Sequence, residues 1–171
     1  MKRSTRIATV LLTACLSAAC LALSGCAEGR TVSSGIPETF AGSVTLVIDD
    51  PATEEADAWF QLPYAEFSAE DTAYTLVERL KGQGKVCCEG SESAYGFFLT
   101  AIGWVEEGEE VMALRADDAA HTFIALYTSV EADFGGMPMT YGSLTLETSA
   151  VGISSMHLQD GAVIYITEGS Y

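Results

Sequence analysis

"AYGFFLTAIGW", residues 94–104, places four aromatic side chains in a stretch that alternates too regularly for a loop. On a strand, Tyr95, Phe97, Leu99 and Ala101 point to one side, while Phe98, Ile102 and Trp104 point to the other with Thr100. Both faces are apolar. The same holds for HTFIALYTSV (121–130), where Phe123, Ala125 and Tyr127 oppose Ile124, Leu126 and Val130. AVIYIT (162–167) repeats it with Val163 and Tyr165 against Ile164 and Ile166. Strands of this kind need cover on both sides.

One segment predicts a helix. In SAEDTAYTLVERLKGQG (68–84), Ala73, Leu76, Val77 and Leu80 recur at helical spacing, Ser68 and Asp71 have capping-box spacing, and Gly82 and Gly84 end the run. Arg79 and Lys81 sit in the last turn, where cations complement the helix dipole. A helix with one apolar stripe covers one face of a sheet. The second face is left to another layer of strands, to the loop EADFGGMPMTY (131–141) with Phe134, Met137 and Met139, or to a ligand or partner.

Upstream, SVTLVID (43–49) reads as a strand with Val44, Leu46 and Ile48 on its more apolar face. The acidic run that follows, with Asp49, Asp50, Glu54, Glu55 and Asp57, lacks the glycine and terminal glutamate of an EF-hand loop and reads as a solvated loop. WFQLPYAEF (59–67) fits an edge strand because of Pro63.

The amino terminus has the layout of an export signal. Lys2, Arg3 and Arg6 precede an acid-free apolar run from Ile7 to Gly25, which ends in LSGC (23–26). That ending resembles the lipobox of bacterial lipoproteins, and implies a signal peptide over 1–25 and a mature chain that starts at Cys26, lipidated and held outside the cytoplasmic membrane. An uncleaved anchor is the competing reading, since the run approaches the roughly 20 residues that span a bilayer. Removing the three basic residues of the signal takes the formal net charge from −16 to −19. Such a charge disfavours nucleic acid and anionic lipid surfaces, so membrane association is expected through the acyl chains alone. Residues 26–42, small and polar beyond the cysteine, read as a flexible linker with a reach of about 50 Å. Residues 43–171 then make one domain of ordinary size.

Cys87 and Cys88 point to opposite faces of a regular strand, so free, largely buried thiols are expected, ahead of a strained vicinal disulfide. A metal site would need further Cys or His nearby, and His121 and His157 lack ligand spacing to the pair. The chain carries no His-Glu-x-x-His, Gly-x-Ser-x-Gly or Walker motif, which makes an enzyme an unsupported expectation. Both histidines read as ordinary strand or surface residues. Glu106, Glu107, Glu109 and Glu110 flank Gly108 in an expected hairpin turn.

Taken in order, VTLVID, DTAYTLVERLKGQG, SAYGFFLTAIGW and GISSMHLQDGAVIYI resemble the bacterial transcobalamin-C-terminal-like domain, a domain of unknown function in extracytoplasmic and lipid-anchored proteins. The most specific pieces are the Tyr-Gly-aromatic strand at Tyr95–Phe97 and the Asp160-Gly161 turn, itself a hairpin signal. The chain departs from the family in FIALYTSVEADFGGMPM, which is longer and has no Asn-Gly turn. The resemblance implies an α+β domain with a β-grasp-like mixed sheet packed on one main helix, with an extra strand layer or covering loop, and a β-sandwich-like arrangement as the alternative. It also implies a capping role over a cobalamin-like corrinoid, for which this chain would supply half a site.

Two functions follow as expectations. The first is a lipid-anchored binding module for a bulky, partly apolar ligand, or a transporter accessory, with Tyr95, Phe98, Trp104, Tyr127, Met137, Met139 and Tyr141 as contacts. The second is an adhesion or assembly module that meets another envelope protein through an apolar face or a sheet edge.

Overall fold

A computed structural model describes residues 31–32, 34–52 and 56–171. The signal segment 1–25, Cys26, Glu54 and Glu55 lie outside the described residues. Among the described residues ten strands run in the order β1 (Thr31–Val32), β2 (Ser43–Asp49), β3 (Ala58–Pro63), β4 (Val86–Ser93), β5 (Gly96–Glu106), β6 (Glu109–Arg115), β7 (Thr122–Thr128), β8 (Phe134–Tyr141), β9 (Leu144–Ser149) and β10 (Val163–Ser170). One helix, α1 (Ala73–Gly82), joins β3 to β4.

The strands form two sheets. Seven of them run β1-β8-β9-β7-β10-β2-β3, and β4-β5-β6 make a separate antiparallel meander. Inside this sheet β10 and β2 are parallel, with Ile164 opposite Leu46 and Ile166 opposite Ile48. Both faces of this pair are buried. Leu46, Ile48, Ile164 and Ile166 enter a first core with Leu76, Val77 and Leu80 of α1 and with Leu99 and Ile102 of the meander. Val47, Val163 and Tyr165 enter a second core with Met139, Tyr141 and Leu146 of β8 and β9.

The expectation of an α+β, β-grasp-like sheet packed on one main helix is overturned. The domain is mostly β, and α1 is the single α-helix among the described residues. A ten-residue helix buries only Ala73, Leu76, Val77 and Leu80, too small a stripe to cover a seven-stranded sheet, so the meander shares the task. The cause of the misreading lies in β5. Thr100 is an extra residue between the pairs Gly90–Leu99 and Glu89–Ala101, and this bulge inverts the alternation. Phe97 and Leu99 before it, and Ile102 and Trp104 after it, therefore all contribute to the first core. Two apolar faces in the sequence are largely one face in the fold. The central strand β10 does have two apolar faces, as its alternation indicates.

Three local expectations also change. Helix α1 is capped by Thr72, whose side chain forms a capping box with Thr75, while Ser68 and Asp71 close a separate turn in front of it. Residues 131–141, one candidate cover as a loop, instead supply a short 3₁₀ turn and strand β8. Asp160-Gly161 makes no hairpin; Asp160 accepts the Gly42 N–H at 2.5 Å and the turn feeds β10 into its parallel partner β2. The stretch assigned to the linker also folds from Thr31 onward. Val32 is fully buried, Ile36 and Phe40 pack on the second core, and the Tyr141 hydroxyl donates to Gly35 O at 3.0 Å. Apolar residues spaced by Ser, Gly and Pro gave no periodic signal there.

Residues 150–162 have almost no regular structure and run over the surface, yet they send Ile153, Met156, Leu158 and Ala162 into the first core. Ile153 and Met156 are buried, and their carbonyls accept the N–H groups of Tyr74 and Ala73 at 3.1 and 3.0 Å. Two donors of the first helical turn, which have no partner inside a helix, are satisfied in this way. The Ser154 hydroxyl accepts the Phe97 N–H at 2.8 Å, tying the same segment to β5.

Candidate functional site

An apolar groove of about 650 Å³ lies along β7. Phe123, Ala125 and Tyr127 form its floor from one face of the strand, Met137 and Val151 rise at the sides, and Glu168 to Ser170 of β10 border it. Phe123, Met137 and Val151 are exposed, Met137 at 56%. A cluster of solvated apolar side chains around a concavity marks binding surfaces more often than an isolated exposed residue does. Tyr127 is held edge-on against the buried Tyr165, ring centroids 6.2 Å apart, so its position is fixed by the core.

The groove exists because β9 is short. It pairs with β7 only at Tyr127–Thr148 and Thr128–Glu147, then leaves the sheet at Ser149. Ser149 Oγ bonds both the N–H and the C=O of Val151, at 3.2 and 2.8 Å, and so holds the departing turn. On the β8 side, the register shifts between Phe134 and Pro138, which bows Met137 outward. A second hollow of about 110 Å³ adjoins the other face of β7, between Ile124 and Leu126 and the residues Phe98, Leu99 and Ile153.

The seven residues singled out from the sequence are dispersed. Tyr127 and Met137 line the groove, and Phe98, 64% exposed, lines the smaller hollow. Tyr95 projects from the β4–β5 turn at 95% exposure. Trp104 packs on the first core, and Met139, 3% exposed, and Tyr141 are in the second. Phe123, Val151 and Glu168 were not among the expected contacts. Phe123 had a signal, an aromatic on the same strand face as Tyr127; Val151 had none, because only the short β9 brings it to β7, and Glu168 is placed there by the non-local pairing of β10 with β7.

A buried carboxylate and a histidine form a further pair outside the groove. Asp133 is buried and turns both carboxylate oxygens to His157, accepting its main-chain N–H at 2.6 Å and facing its Nδ1 at 2.7 Å. The ring itself is 65% exposed and bonds no Ser, Thr or Cys among the described residues, so the pair clamps residues 150–157 to the turn before β8. Among the described residues no group of three or more His, Cys, Asp or Glu side chains is placed to hold a metal ion.

Cys87 and Cys88 are free thiols, Cys87 buried and Cys88 half-buried, opposite Gly103 and Ile102 of β5. Burial pushes both thiols above their ordinary range. Burial also raises the Tyr141 phenol, with the Asp49 carboxylate adding to it. All three groups hold their protons more tightly folded than unfolded. Their contribution is therefore intact below the unfolded thiol value of about 8.5 and is lost as pH rises through the folded values. Denaturant midpoints should hold up to about pH 8.5 and fall above it, with a further decline beyond about pH 10. A flat profile to pH 11 would mean that these groups are solvated.

No family model matches the chain, and no curated protein matches it. Among solved structures the fold is similar to that of a protein from Ruminococcus gnavus ATCC 29149 described as a candidate metal-binding protein, at 16% identity and a TM-score of 0.44, over 75% of this chain and 97% of that one. It is also similar to haptocorrin in complex with Cbi, at 12% identity and a TM-score of 0.44, over 80% of this chain. The chain spans 27% of the haptocorrin chain. At this level of overlap the reading of the site rests on its own geometry.

Proposed function

We propose that this chain is a non-catalytic, extracytoplasmic binding module, anchored by lipid on Cys26, that takes a bulky, partly apolar ligand in the groove on β7. The observation that carries the reading is the groove itself. Its volume of about 650 Å³ is in the usual range for ligand sites, and its exposed Phe123, Met137 and Val151 are surface that a ligand would remove from water. The non-catalytic part draws on the lining: the hydroxyls of Thr148 and Ser149 are engaged with main chain, and neither histidine lines the groove.

For the corrinoid reading, the groove is one half of an enclosure. It is open to solvent, so a second protein, such as a transporter subunit, has to cover the other side of the ligand, and affinity of the isolated domain is expected to be weak. Haptocorrin with Cbi gives the first ligand class to try. A second reading, an adhesion or assembly module that binds another protein, draws on the unpaired edge of β7 beside the groove.

The test is native mass spectrometry of the mature chain, residues 27–171 without lipid, alone and with corrinoids and other tetrapyrroles. The expected result is an added or co-purified small molecule whose retention drops at least tenfold in Phe123→Asp and Met137→Asp, both at exposed positions. No adduct at high ligand concentration in the unsubstituted chain would remove the self-sufficient small-molecule site.

A further inference from the structure

We infer that the groove receives a short extended peptide, paired to the bare edge of β7, with apolar side chains at successive positions and basic residues flanking them. The inference rests on reading the groove as a binding site. Its first support is the parity of the sheet. Ser129 donates its N–H to Val163 O at 3.1 Å and Tyr171 donates to His121 O at 3.2 Å, and both pairs continue the β7–β10 register. Odd-numbered residues of β7 therefore bond to β10, and even-numbered residues turn their main-chain groups the other way. On that other side Thr122 is bonded to Asp117 in both directions, at 3.0 and 3.2 Å, and Thr128 is paired with Glu147. Ile124, between them, is paired with no strand on that side among the described residues, and β5 approaches it only across the smaller hollow. An unpaired donor and acceptor at a strand edge are what an added strand completes.

The slot has stops at both ends, so Phe123–Leu126 offers about 13 Å of edge, the length of four extended residues. A long strand would collide with the Asp117 turn or with β9. The second support is the placing of the two hollows. Side chains of an added strand alternate between its faces, and the edge of β7 has a hollow on each. Ile124 and Leu126 border both, the larger with Met137 and Val151 and the smaller with Phe98. The larger suits an aromatic or long aliphatic side chain, and the 110 Å³ hollow suits one small aliphatic group.

Charge selects the flanks. Glu168 of β10 borders the larger hollow from beside Ile124, no Lys or Arg among the described residues lines either hollow, and Asp117 and Glu147 stand at the two ends of the slot. The four described Lys and Arg residues lie elsewhere: Arg79 and Lys81 on α1, Lys85 after it, and Arg115 bonded through both terminal nitrogens to Glu89. A cationic peptide is drawn to this end of the molecule and an acidic one is repelled.

The experiment is amide hydrogen exchange by NMR on the mature chain, with an equimolar library of acetylated, amidated hexapeptides that carry lysine at both ends and mixed apolar residues at the four inner positions. Exchange at the Ile124 amide is expected to slow tenfold or more, while Phe123 and Ala125, already bonded to β10, stay unchanged. N-methylation of the inner positions should abolish the effect, glutamate in place of lysine should weaken it at least tenfold, and so should Val151→Lys at the exposed rim. Unaltered Ile124 exchange at millimolar library, or protection that survives N-methylation, overturns the peptide inference. A small-molecule adduct by mass spectrometry would then leave the binding module standing, and no adduct would remove both.

Discussion

Alanine at position 103 should cost the domain about 3 kcal/mol or more, a loss at the upper end of overpacking substitutions. Between Ile102–Leu114 and Trp104–Val111 the strand β6 carries one residue more than β5, so Met112 and Ala113 together oppose Gly103. That bulge drives the Val111 carbonyl over position 103. A Cβ built there would lie 1.8 Å from Val111 O and 2.8 Å from Met112 Cα, and both are main-chain atoms that cannot rotate away. Relief requires breaking the β5–β6 ladder, which carries Ile102 and Leu114 into the first core. For a domain of this size the melting temperature should fall by about 10 °C. Gly82→Ala is the matched control: no atom lies within 4 Å of its Cβ and it ends a helix, so it should be neutral or stabilising by up to about 1 kcal/mol. Equal melting temperatures for Gly103→Ala and the unsubstituted chain would show that the bulge is not where the register places it.

Asp133→Ala should be the second large loss, about 2–4 kcal/mol, because a buried acceptor of two bonds disappears and the His157 main-chain N–H loses its partner. The effect spreads through the irregular segment that this carboxylate holds. Ile153 and Met156 follow His157 out of register, and with them go the carbonyl partners of the first turn of α1. Asp133→Asn keeps one acceptor and should fall between the two, and His157→Ala should cost less than Asp133→Ala, since the ring is mostly solvated and the main-chain bond remains. Urea unfolding at constant pH orders the four proteins. A His157→Ala loss as large as that of Asp133→Ala would place the clamp in the ring and not in the main chain.

These two sites show what the sequence makes legible. Strands β2, β7 and β10, the edge position of β3 with Pro63, the apolar stripe of α1 and the Glu107-Gly108 turn, where both residues adopt positive φ, all follow from alternation, helical spacing and turn chemistry. What stayed hidden was non-local. Thr100 carries no mark of a bulge, yet it moves half of β5 to the other face and so changes the number of layers the sequence seemed to need. Asp133 is one carboxylate among 24 acidic residues, and its partner lies 24 positions on, in a stretch with no periodicity. The groove is legible in part for the same reason. Phe123 and Tyr127 announce themselves by alternation along one strand, whereas Val151 reaches them only because β9 stops at Ser149.

The folding of Thr31, Val32 and residues 34–42 onto the second core shortens any tether that runs upstream of it. On the proposal that Cys26 carries the lipid, five residue steps separate it from the first ladder contact at Thr31, at most about 17 Å, where a tether running to Ser43 would allow about 56 Å. The volume within reach scales as the cube of that length, so the proposed anchor would confine the domain to roughly one-thirtieth of the space and raise the local concentration of a membrane-embedded partner in proportion. A protein held so closely would sample traffic across the surface and not the surrounding medium.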